Sequence, residues 1–201
     1  MQKKSALIER ILHMTTICII RHGETDWNRE GRIQGSADIP MNATGKEQAE
    51  KCATYLAQSN WDVIISSPLT RAKETALIIN KKLQLPIIEM AAFKERDFGD
   101  AEGMTSEERE VTFPDREFPN QESRESLTDR VMEGIQKLHE MYPSGKVLLV
   151  AHGGVINAIL ATISNGDIGS GKTRLSHACI SNIYYDQDKW TIKNYNQTTH
   201  L

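Results

Sequence analysis

Short apolar runs alternate with amphipathic stretches along most of the chain. Four runs rich in branched aliphatic residues predict buried strands, namely ICII, DVIISS, LPIIEM and KVLLVA. Apolar residues at helical spacing, such as Ala49, Cys52 and Leu56, predict helices after ICII, DVIISS and KVLLVA, and a further helical stripe covers residues 127–142. Two closing runs, ISNIYYD and KWTIKNY, are joined by a short polar turn and predict a hairpin.

This order of elements predicts an α/β fold. Strands that alternate with helices indicate βαβ units and a mostly parallel central sheet with helices on both faces. The length of 201 residues suits one domain, which we expect over residues 14–201. Residues 98–124 lack clear periodicity and contain Pro114 and Pro119, which indicates a lid-like insertion rather than a second domain.

The first thirteen residues are interpreted as an appendage to that domain. Lys3 and Lys4 imitate the start of a signal peptide, but Glu9, Arg10 and His13 interrupt the apolar stretch that follows. A short amphipathic helix that docks on the domain is the alternative. No run reaches the length of a membrane span, so we expect no membrane partner.

Charge and cysteine content narrow the classes of function. A net charge of -3 and a pI near 6.1 lack the basic excess of nucleic-acid-binding proteins, so we expect no nucleic-acid partner. Cys18, Cys52 and Cys179 lie far apart without C-x-x-C spacing, which argues against disulfides and favours a reducing, cytoplasmic compartment. A monomer and a homodimer are both compatible with the sequence.

Polar side chains follow the predicted strands at the place where open parallel sheets bind ligands, outside their carboxyl ends. Arg21 and His22 come directly after ICII, and His152 comes directly after KVLLVA. Arg71 follows DVIISS within a few residues, and Glu95 follows LPIIEM. Because right-handed crossovers bring these ends to one edge of the sheet, the five side chains are predicted to converge.

This set of side chains suits a phosphate monoester, which carries about -1.5 to -2 charges at neutral pH. Arg21 and Arg71 can hold the phosphoryl oxygens, and the backbone N–H of Gly153 can approach the same anion. One neutral imidazole can act as the nucleophile while the other donates a hydrogen bond. Glu95 can protonate the leaving alkoxide and then activate water. Because the arginines supply positive charge, we expect no metal and no cofactor.

Taken singly, each of these signals is weak. An Arg-His-Gly triplet is more often a solvated strand exit, and Arg71 alone suits an exposed helical residue. Glu95 can simply pair with its neighbours Lys94 and Arg96. Their shared position at strand ends is what favours a site. A phosphate-binding domain without turnover is the non-enzymatic alternative, although every residue that the chemistry needs is present.

The motifs RHGETDWN, SSPLTRAKETA, KERDFGDAEG and VAHGG resemble those of the histidine phosphatase superfamily, also called phosphoglycerate mutase-like. The resemblance implies a three-layer α/β/α sandwich. It also implies that His22 becomes phosphohistidine, that Glu95 donates and accepts the proton, and that Arg21, Arg71 and His152 form the phosphate pocket. Further phosphate- or substrate-binding positions that it implies are Gly23, Thr25, Asn28, Gln34, Gly35 and Gly153.

The segment after Glu95 resembles the phosphatase branch of that superfamily, since the mutase branch has a longer segment there with a tyrosine and paired arginines. Residues 100–125 hold nine acidic residues against three arginines, so we expect a leaving group with little negative charge. The prediction is a phosphomonoesterase of broad specificity for small-molecule phosphate esters. A phosphoglycerate mutase or a sugar-phosphate-specific phosphatase is the alternative.

The stretch GDIGSGKT at residues 166–173 fits the phosphate-binding loop of nucleotide hydrolases. That loop follows a strand, whereas the preceding GVINAILATISN predicts a helix. About ten residues separate Lys172 from Ile183 in the next predicted strand, fewer than a crossover with its own helix requires. We therefore interpret the stretch as a linker, and the sequence disfavours a nucleotide hydrolase.

Overall fold

The computed structural model describes residues 14–201, and within this range six strands form one sheet. The strands are β1 Thr15–Arg21, β2 Val63–Ser66, β3 Ile87–Glu89, β4 Lys146–Ala151, β5 Ile180–Asp186 and β6 Lys189–Gln197. Their order in the sheet is β3-β2-β4-β1-β5-β6. The first four strands pair in parallel with one another, while β5 pairs antiparallel with β1 and β6. The predicted, mostly parallel sheet is confirmed.

Six α-helices lie in the same range. They are α1 Asp26–Arg29, α2 Ala43–Leu56, α3 Thr70–Leu83, α4 Ser106–Thr112, α5 Arg124–Met141 and α6 Gly153–Ile163. The sequence pattern predicts α2, α3, α5 and α6 but misses α1 and α4. Both missed helices are short, and each begins with a capping box, Thr25 with Asn28 and Thr105 with Glu108. Local capping therefore defines them, not an apolar stripe.

Both faces of the sheet are covered by helices. Ile17 and Ile19 of β1 pack in the same core as α5 and α6, while Cys18 and Ile20 pack with α2 and α3. All four side chains are at most 1% exposed, which explains why β1 is a continuous apolar run. The result is the three-layer α/β/α sandwich that was predicted.

Two parts of the predicted domain organisation stay predictions. Residues 98–124 contain a 3₁₀ turn at Gly99–Ala101 as well as α4, so the segment has more regular structure than its sequence indicates. The expected appendage, residues 1–13, lies outside the described residues. No helix within residues 14–201 is both long and apolar enough to span a membrane.

Candidate active site

The carboxyl ends of β1 and β4 place two histidines side by side. Arg21 is opposite Ala151 in the parallel register, and the His22 N–H donates to the Ala151 carbonyl at 3.0 Å. His152 follows Ala151 directly, and its imidazole centroid lies 5.1 Å from that of His22. The two strand ends thus meet as the sequence predicts.

The imidazole of His22 is buried and held in one tautomer. Its Nδ1 lies 2.7 Å from the Gly23 carbonyl oxygen, which can only accept, so Nδ1 carries the proton. Nε2 therefore carries a free lone pair. Burial lowers the pKa of His22 well below its usual value, and His152, Arg71 and Arg21 lower it further. His22 is consequently a neutral imidazole at physiological pH, as a nucleophile must be.

Close packing requires glycine at position 23. A Cβ at this position would lie 2.3 Å from the Gly45 carbonyl oxygen at the start of α2. The Gly23 N–H donates to Thr75 Oγ1 at 3.2 Å, and its carbonyl accepts from His22. Gly23 thus positions His22, and its implied phosphate contact stays a prediction.

Two buried arginines flank the histidines. Arg71 is 1% exposed, and its two terminal nitrogens donate to the carbonyls of Ala37 and Gly35, each at 2.7 Å. Arg21 donates through Nη1 to the Leu175 carbonyl. The Nε atoms of both arginines are buried and have no hydrogen-bond partner within residues 14–201. Each guanidinium is thus anchored through its terminal nitrogens, and its Nε–H remains an unpaired donor.

The loop that anchors Arg71 is itself held by Glu102. The backbone N–H groups of Ser36 and Ala37 donate to the Glu102 carboxylate at 2.6 and 2.9 Å. Gly35 has φ +55, and a Cβ there would lie 1.9 Å from Glu102 Oε1. Because position 35 is glycine, the Glu102 carboxylate can approach the loop, and the Gly35 carbonyl then orients the Arg71 guanidinium. The resemblance does not indicate this role of Gly35.

Glu95 lies against the N-terminus of α6. Its Oε2 accepts the Gly154 N–H at 2.9 Å, and its Oε1 accepts the Val155 N–H at 3.3 Å. A Cβ on Gly154 would lie 2.4 Å from Glu95 Oε1, so only glycine allows this contact. The preceding residue, Gly153, lies beside the Arg21 guanidinium. A Cβ added to Gly153 would lie 3.6 Å from Arg21 Nε. The structure therefore brings Glu95 to the same sheet edge as the arginines and histidines.

His152 is oriented by Ser67, a residue that the sequence analysis does not single out. Its Nε2 lies 2.7 Å from Ser67 Oγ, which accepts the Leu69 N–H at 3.3 Å. The hydroxyl proton of Ser67 is thus available to His152 Nε2, which leaves the ring proton on Nδ1. His152 Nδ1 is buried and has no partner within the described range. Burial, followed by Arg71 and Arg21, lowers the pKa of His152 well below its usual value.

Three other implied site residues lie between β1 and α2. Thr25 is fully buried, and its hydroxyl caps α1 by donating to Asn28 Oδ1 and accepting the Asn28 N–H. Its implied substrate contact stays a prediction. Asn28 and Arg21 both line a cleft of about 800 Å³ at this edge of the sheet. Gln34 is 7% exposed, and its Oε1 is buried without a partner in the described chain.

Unpaired buried polar atoms concentrate at this site. Within residues 14–201, the buried side-chain nitrogens and oxygens without a partner are Arg21 Nε, Gln34 Oε1, Arg71 Nε, His152 Nδ1, Asn157 Oδ1, His177 Nε2 and His200 Nδ1. All but the His200 atom belong to implied site residues or to residues that line the cleft. Each such atom destabilises a protein by about 1–3 kcal/mol. Their grouping around His22 indicates a polar ligand.

A family model described as the histidine phosphatase superfamily (branch 1) matches residues 17–198. The chain belongs to the histidine phosphatase superfamily. It is 54% identical to an uncharacterized phosphatase, PhoE, of Bacillus subtilis (strain 168) over 188 residues, which cover 94% of this chain and 97% of PhoE. It is 34% identical to a metal-independent phosphoserine phosphatase of Arabidopsis thaliana, covering 94% of this chain and 84% of that protein. The prediction of a phosphatase of this superfamily is confirmed.

Solved structures of the histidine phosphatase superfamily share the fold. Bacillus stearothermophilus YhfR has a TM-score of 0.87 at 25% identity, covering 92% of this chain and 98% of that one. A phosphoserine phosphatase of Entamoeba histolytica in complex with phosphoserine has a TM-score of 0.81 at 27% identity, covering 93% and 99%. The phosphoglycerate mutase-like fold is thus confirmed.

In this member of the superfamily the cleft beside His22 is cationic. It has a volume of about 800 Å³, and Arg32, Arg109 and Arg174 line it together with Arg21. Arg32 and Arg174 come from segments distant in sequence from residues 100–125, and Arg32 is paired with Glu30 and Glu108. The expectation of a leaving group with little negative charge stays a prediction.

Several residues that shape this histidine phosphatase site are not predicted from the sequence. The second glycine of the motif HGG is the available signal for Gly154, and the repeated serine at the start of SSPLTRA is the signal for Ser67. Nothing in the sequence indicates His177, whose ring centroid lies 6.3 Å from that of His22. Burial, followed by Arg21 and Arg174, lowers the pKa of His177 to about 3, so a third neutral imidazole faces the cleft.

Proposed function

We propose that this chain hydrolyses a broad range of phosphate monoesters through a phosphohistidine at His22, without a metal ion. One observation carries the proposal. A buried, neutral imidazole with a free lone pair on Nε2 lies among unpaired N–H donors at the carboxyl edge of a parallel sheet. Such donors stabilise charge that develops in a transition state and need no reorganisation to do so.

In the first step, His22 Nε2 attacks phosphorus and the bond from phosphorus to the ester oxygen breaks. The Nε–H groups of Arg21 and Arg71 and the Nδ1–H of His152 are the donors available for the phosphoryl oxygens. Glu95 gives its proton to the departing oxygen, which leaves as an alcohol. The His22 Nδ1–H continues to donate to the Gly23 carbonyl, which stabilises positive charge on the phosphorylated ring.

In the second step, the Glu95 carboxylate takes a proton from water, and the water oxygen attacks phosphorus. The bond from phosphorus to Nε2 breaks, its electron pair returns to His22, and inorganic phosphate leaves. The helix N-terminus holds Glu95 in place through both steps, because the Gly154 and Val155 N–H groups fix its two oxygens. The proton that Glu95 takes from water replaces the one that it gave to the leaving group in the first step.

A phosphoglycerate mutase is the second candidate, because Arg32, Arg109 and Arg174 offer the cations that a carboxylate-bearing ester needs. A sugar-phosphate-specific phosphatase is the narrower form of the first candidate. Phosphatase names among the relatives, including phosphoserine phosphatase, support hydrolysis over transfer. Residues 98–124 are proposed to act as the lid, since Phe98 and Arg109 contribute to cavities beside the site.

A panel of phosphate esters tests the proposal, with kcat/KM compared for phenyl phosphate, sugar phosphates, phosphoserine and 3-phosphoglycerate. We expect release of inorganic phosphate from several of them, activity that survives EDTA, and none in His22→Ala. Turnover of 3-phosphoglycerate to its isomer with no release of phosphate from simple esters would favour the mutase and contradict the proposal.

The role of Glu95 has its own test. We expect Glu95→Gln to lower kcat by about 10²–10⁴-fold, the usual contribution of a general acid or base. The loss should be smaller for p-nitrophenyl phosphate, whose leaving group needs no proton, if phosphorylation limits the rate. An equal loss for alkyl and nitrophenyl esters in single-turnover phosphorylation would show that Glu95 does not protonate the leaving group.

The location and assembly of the enzyme are also proposals. The free, buried thiols of Cys18, Cys52 and Cys179 suit a reducing compartment, so we place the enzyme in the cytoplasm. We propose a monomer or a homodimer that acts on small phosphate esters and not on nucleic acid or a membrane. Fractionation of cells would test the location, and light scattering of the purified chain would test the assembly.

A further inference from the structure

A third histidine, His177, lies beside His22 and His152 and takes no part in the two proposed steps. Its imidazole centroid is 6.3 Å from that of His22, compared with 5.1 Å for His152. The residue also lines the cleft together with Arg21. His177 is therefore almost as close to the proposed nucleophile as the histidine that is proposed to bind the phosphoryl group.

The Nε2 atom of His177 has no hydrogen-bond partner. It is buried and unpaired within residues 14–201, as are Arg21 Nε and His152 Nδ1. Such an atom destabilises the folded protein unless a ligand or water pairs with it. The Arg21 and His152 atoms are proposed to donate to phosphoryl oxygens, and the His177 atom belongs to the same group of side chains.

Arg21 connects His177 to the proposed phosphate donors. Burial is the main cause that lowers the pKa of His177 to about 3, and the charge of Arg21 is the next. The same charge also lowers the pKa of His22, so the guanidinium lies close to both imidazoles. An anion held by Arg21 is therefore close to His177. Because His177 is neutral at physiological pH, it can carry its proton on Nε2 and donate it.

The backbone on both sides of His177 is fixed to Arg21 and His22 themselves. The Leu175 carbonyl accepts from Arg21 Nη1. The Ala178 N–H donates to the His22 carbonyl at 3.3 Å. These two contacts hold the His177 imidazole in place relative to the proposed nucleophile before a substrate binds, as preorganised catalysis requires.

Ala178, the next residue in the chain, has a backbone conformation that favours glycine. It is fully buried, with φ +54. A residue with a Cβ keeps this conformation only where the surrounding contacts impose it, and such residues cluster at active sites. The Ala178 carbonyl accepts from Cys52 Sγ at 3.3 Å, so both polar groups of this residue are paired. The fold therefore maintains backbone strain directly beside His177.

We propose that His177 is a further phosphate-binding residue, whose Nε2–H donates to a phosphoryl oxygen while that group is transferred to and from His22. The inference rests on the proposed hydrolysis through a phosphohistidine. A neutral donor suits this position, because Arg21 and Arg71 already supply positive charge and would repel a further cation. The donors for the phosphoryl oxygens then include two arginines and two neutral imidazoles.

Two substitutions separate the hydrogen bond from packing. His177→Phe keeps an aromatic ring and removes the donor, whereas His177→Gln keeps an N–H donor on a side chain of similar reach. We expect His177→Phe to lower kcat/KM for phenyl phosphate about 10–100-fold, as loss of a hydrogen bond to a charged group predicts. Inhibition by vanadate should weaken by a similar factor. His177→Gln should recover most of both losses.

His139→Phe is the matched control, because it makes the same change at the other end of β1. His139 Nδ1 lies 2.7 Å from Thr15 Oγ1 in the first residue of that strand, whereas His22 follows its last residue. The control should keep the wild-type kcat/KM and the wild-type vanadate inhibition. Melting temperatures of all three variants identify any loss that comes from unfolding.

NMR spectroscopy of the imidazole nitrogens detects the contact itself. In the wild type, saturating vanadate should shift the His177 Nε2 resonance, which is assigned by its absence in His177→Gln, and should slow exchange of its proton with water. An unchanged His177 resonance would overturn the proposal. So would wild-type kcat/KM and vanadate inhibition in His177→Phe. Hydrolysis of phenyl phosphate by His22→Ala at the wild-type rate would instead overturn the proposed function.

Discussion

Two glycine-containing stretches of this chain match phosphate-binding patterns, and the structure treats them differently. The stretch after β1 leads directly from a central strand into His22, which is 3% exposed. The 166–173 stretch follows α6, and Lys172 is exposed. Added Cβ atoms at Gly166 and Gly171 would meet nothing within 4 Å. The 166–173 stretch is therefore the weaker candidate for a phosphate site, because such a site needs converging buried donors.

Glycine has a different structural role in the two stretches. At Gly23 and Gly45 the loop after β1 and the start of α2 approach so closely that any Cβ would collide with a backbone oxygen. That approach fixes the tautomer and position of His22. At Gly166 and Gly171 the backbone has positive φ in open space, so glycine there provides only conformation. Close packing separates a preorganised site from a loop.

The largest expected effect separates the two stretches directly. His22→Ala should lower kcat/KM for phenyl phosphate by about 10⁴-fold or more, since it removes the nucleophile. Lys172→Ala should lower it by no more than about tenfold. Steady-state kinetics on both variants measures the difference. A loss in Lys172→Ala as large as that in His22→Ala, together with ATP binding by the wild type, would reverse the comparison.

The two glycines at the start of α6 give the next effect. In Gly154→Ala the new methyl group collides with Glu95 Oε1, so we expect kcat to fall about 10–100-fold through displacement of the carboxylate. Gly153→Ala adds a methyl group at ordinary contact distance from Arg21 and should have a smaller effect. Kinetics with melting temperatures measures both. Equal losses in the two variants would mean that Glu95 is not held as described.

Ser67 should have a smaller effect through the orientation of His152. Ser67→Ala removes the hydroxyl from His152 Nε2, so we expect kcat/KM to fall about tenfold. Ser67→Thr retains the hydroxyl and should recover most of the loss. Vanadate inhibition provides a second measurement, because weaker donation from Nδ1 should weaken inhibition in Ser67→Ala alone. Full activity in Ser67→Ala would show that His152 does not depend on this contact.

The smallest effect concerns stability and pH. The pKa of His177 is lowered from 6.5 to about 3, so the unfolded chain takes up a proton near pH 6.5 and the folded chain does not. The stabilisation that depends on neutral His177 is thus fully present above pH 6.5 and is lost as the pH falls toward 3. From pH 7 to pH 5.5 the free energy of unfolding should fall by about 1 kcal/mol more in the wild type than in His177→Gln, after allowance for partial exposure. Urea unfolding at the two pH values measures this difference. An equal fall in the wild type and the variant would contradict it.

Much of the fold and of the site follows from the sequence for physical reasons. Strands buried on both faces, such as β1, are continuous apolar runs, and right-handed crossovers bring their ends together. This reasoning identifies Arg21, His22, Arg71 and His152, which the structure brings together at one edge of the sheet. It also identifies Glu95, because the segment after β3 reaches the same edge.

Other features depend on contacts that a single sequence does not reveal. Ser67, Gly154 and Glu102 contact residues 59 to 85 positions away, so no local pattern indicates their partners. The arginines of the cleft come from separate segments, so the composition of residues 100–125 alone does not describe its charge. The motif also does not reveal that the Gly23 N–H and the Thr25 hydroxyl are paired within the protein.

Detection of the phosphoenzyme is the most direct test of catalysis through a phosphohistidine at His22. The enzyme is mixed with phenyl phosphate, quenched in alkali during turnover, digested, and analysed by mass spectrometry for a phosphorylated peptide. The account predicts acid-labile phosphate on His22, attached at Nε2 because Nδ1 donates to the Gly23 carbonyl, and no such label in His22→Ala. Rapid hydrolysis of phenyl phosphate with no phosphohistidine at His22, in quenches fast enough to trap it, would contradict the account.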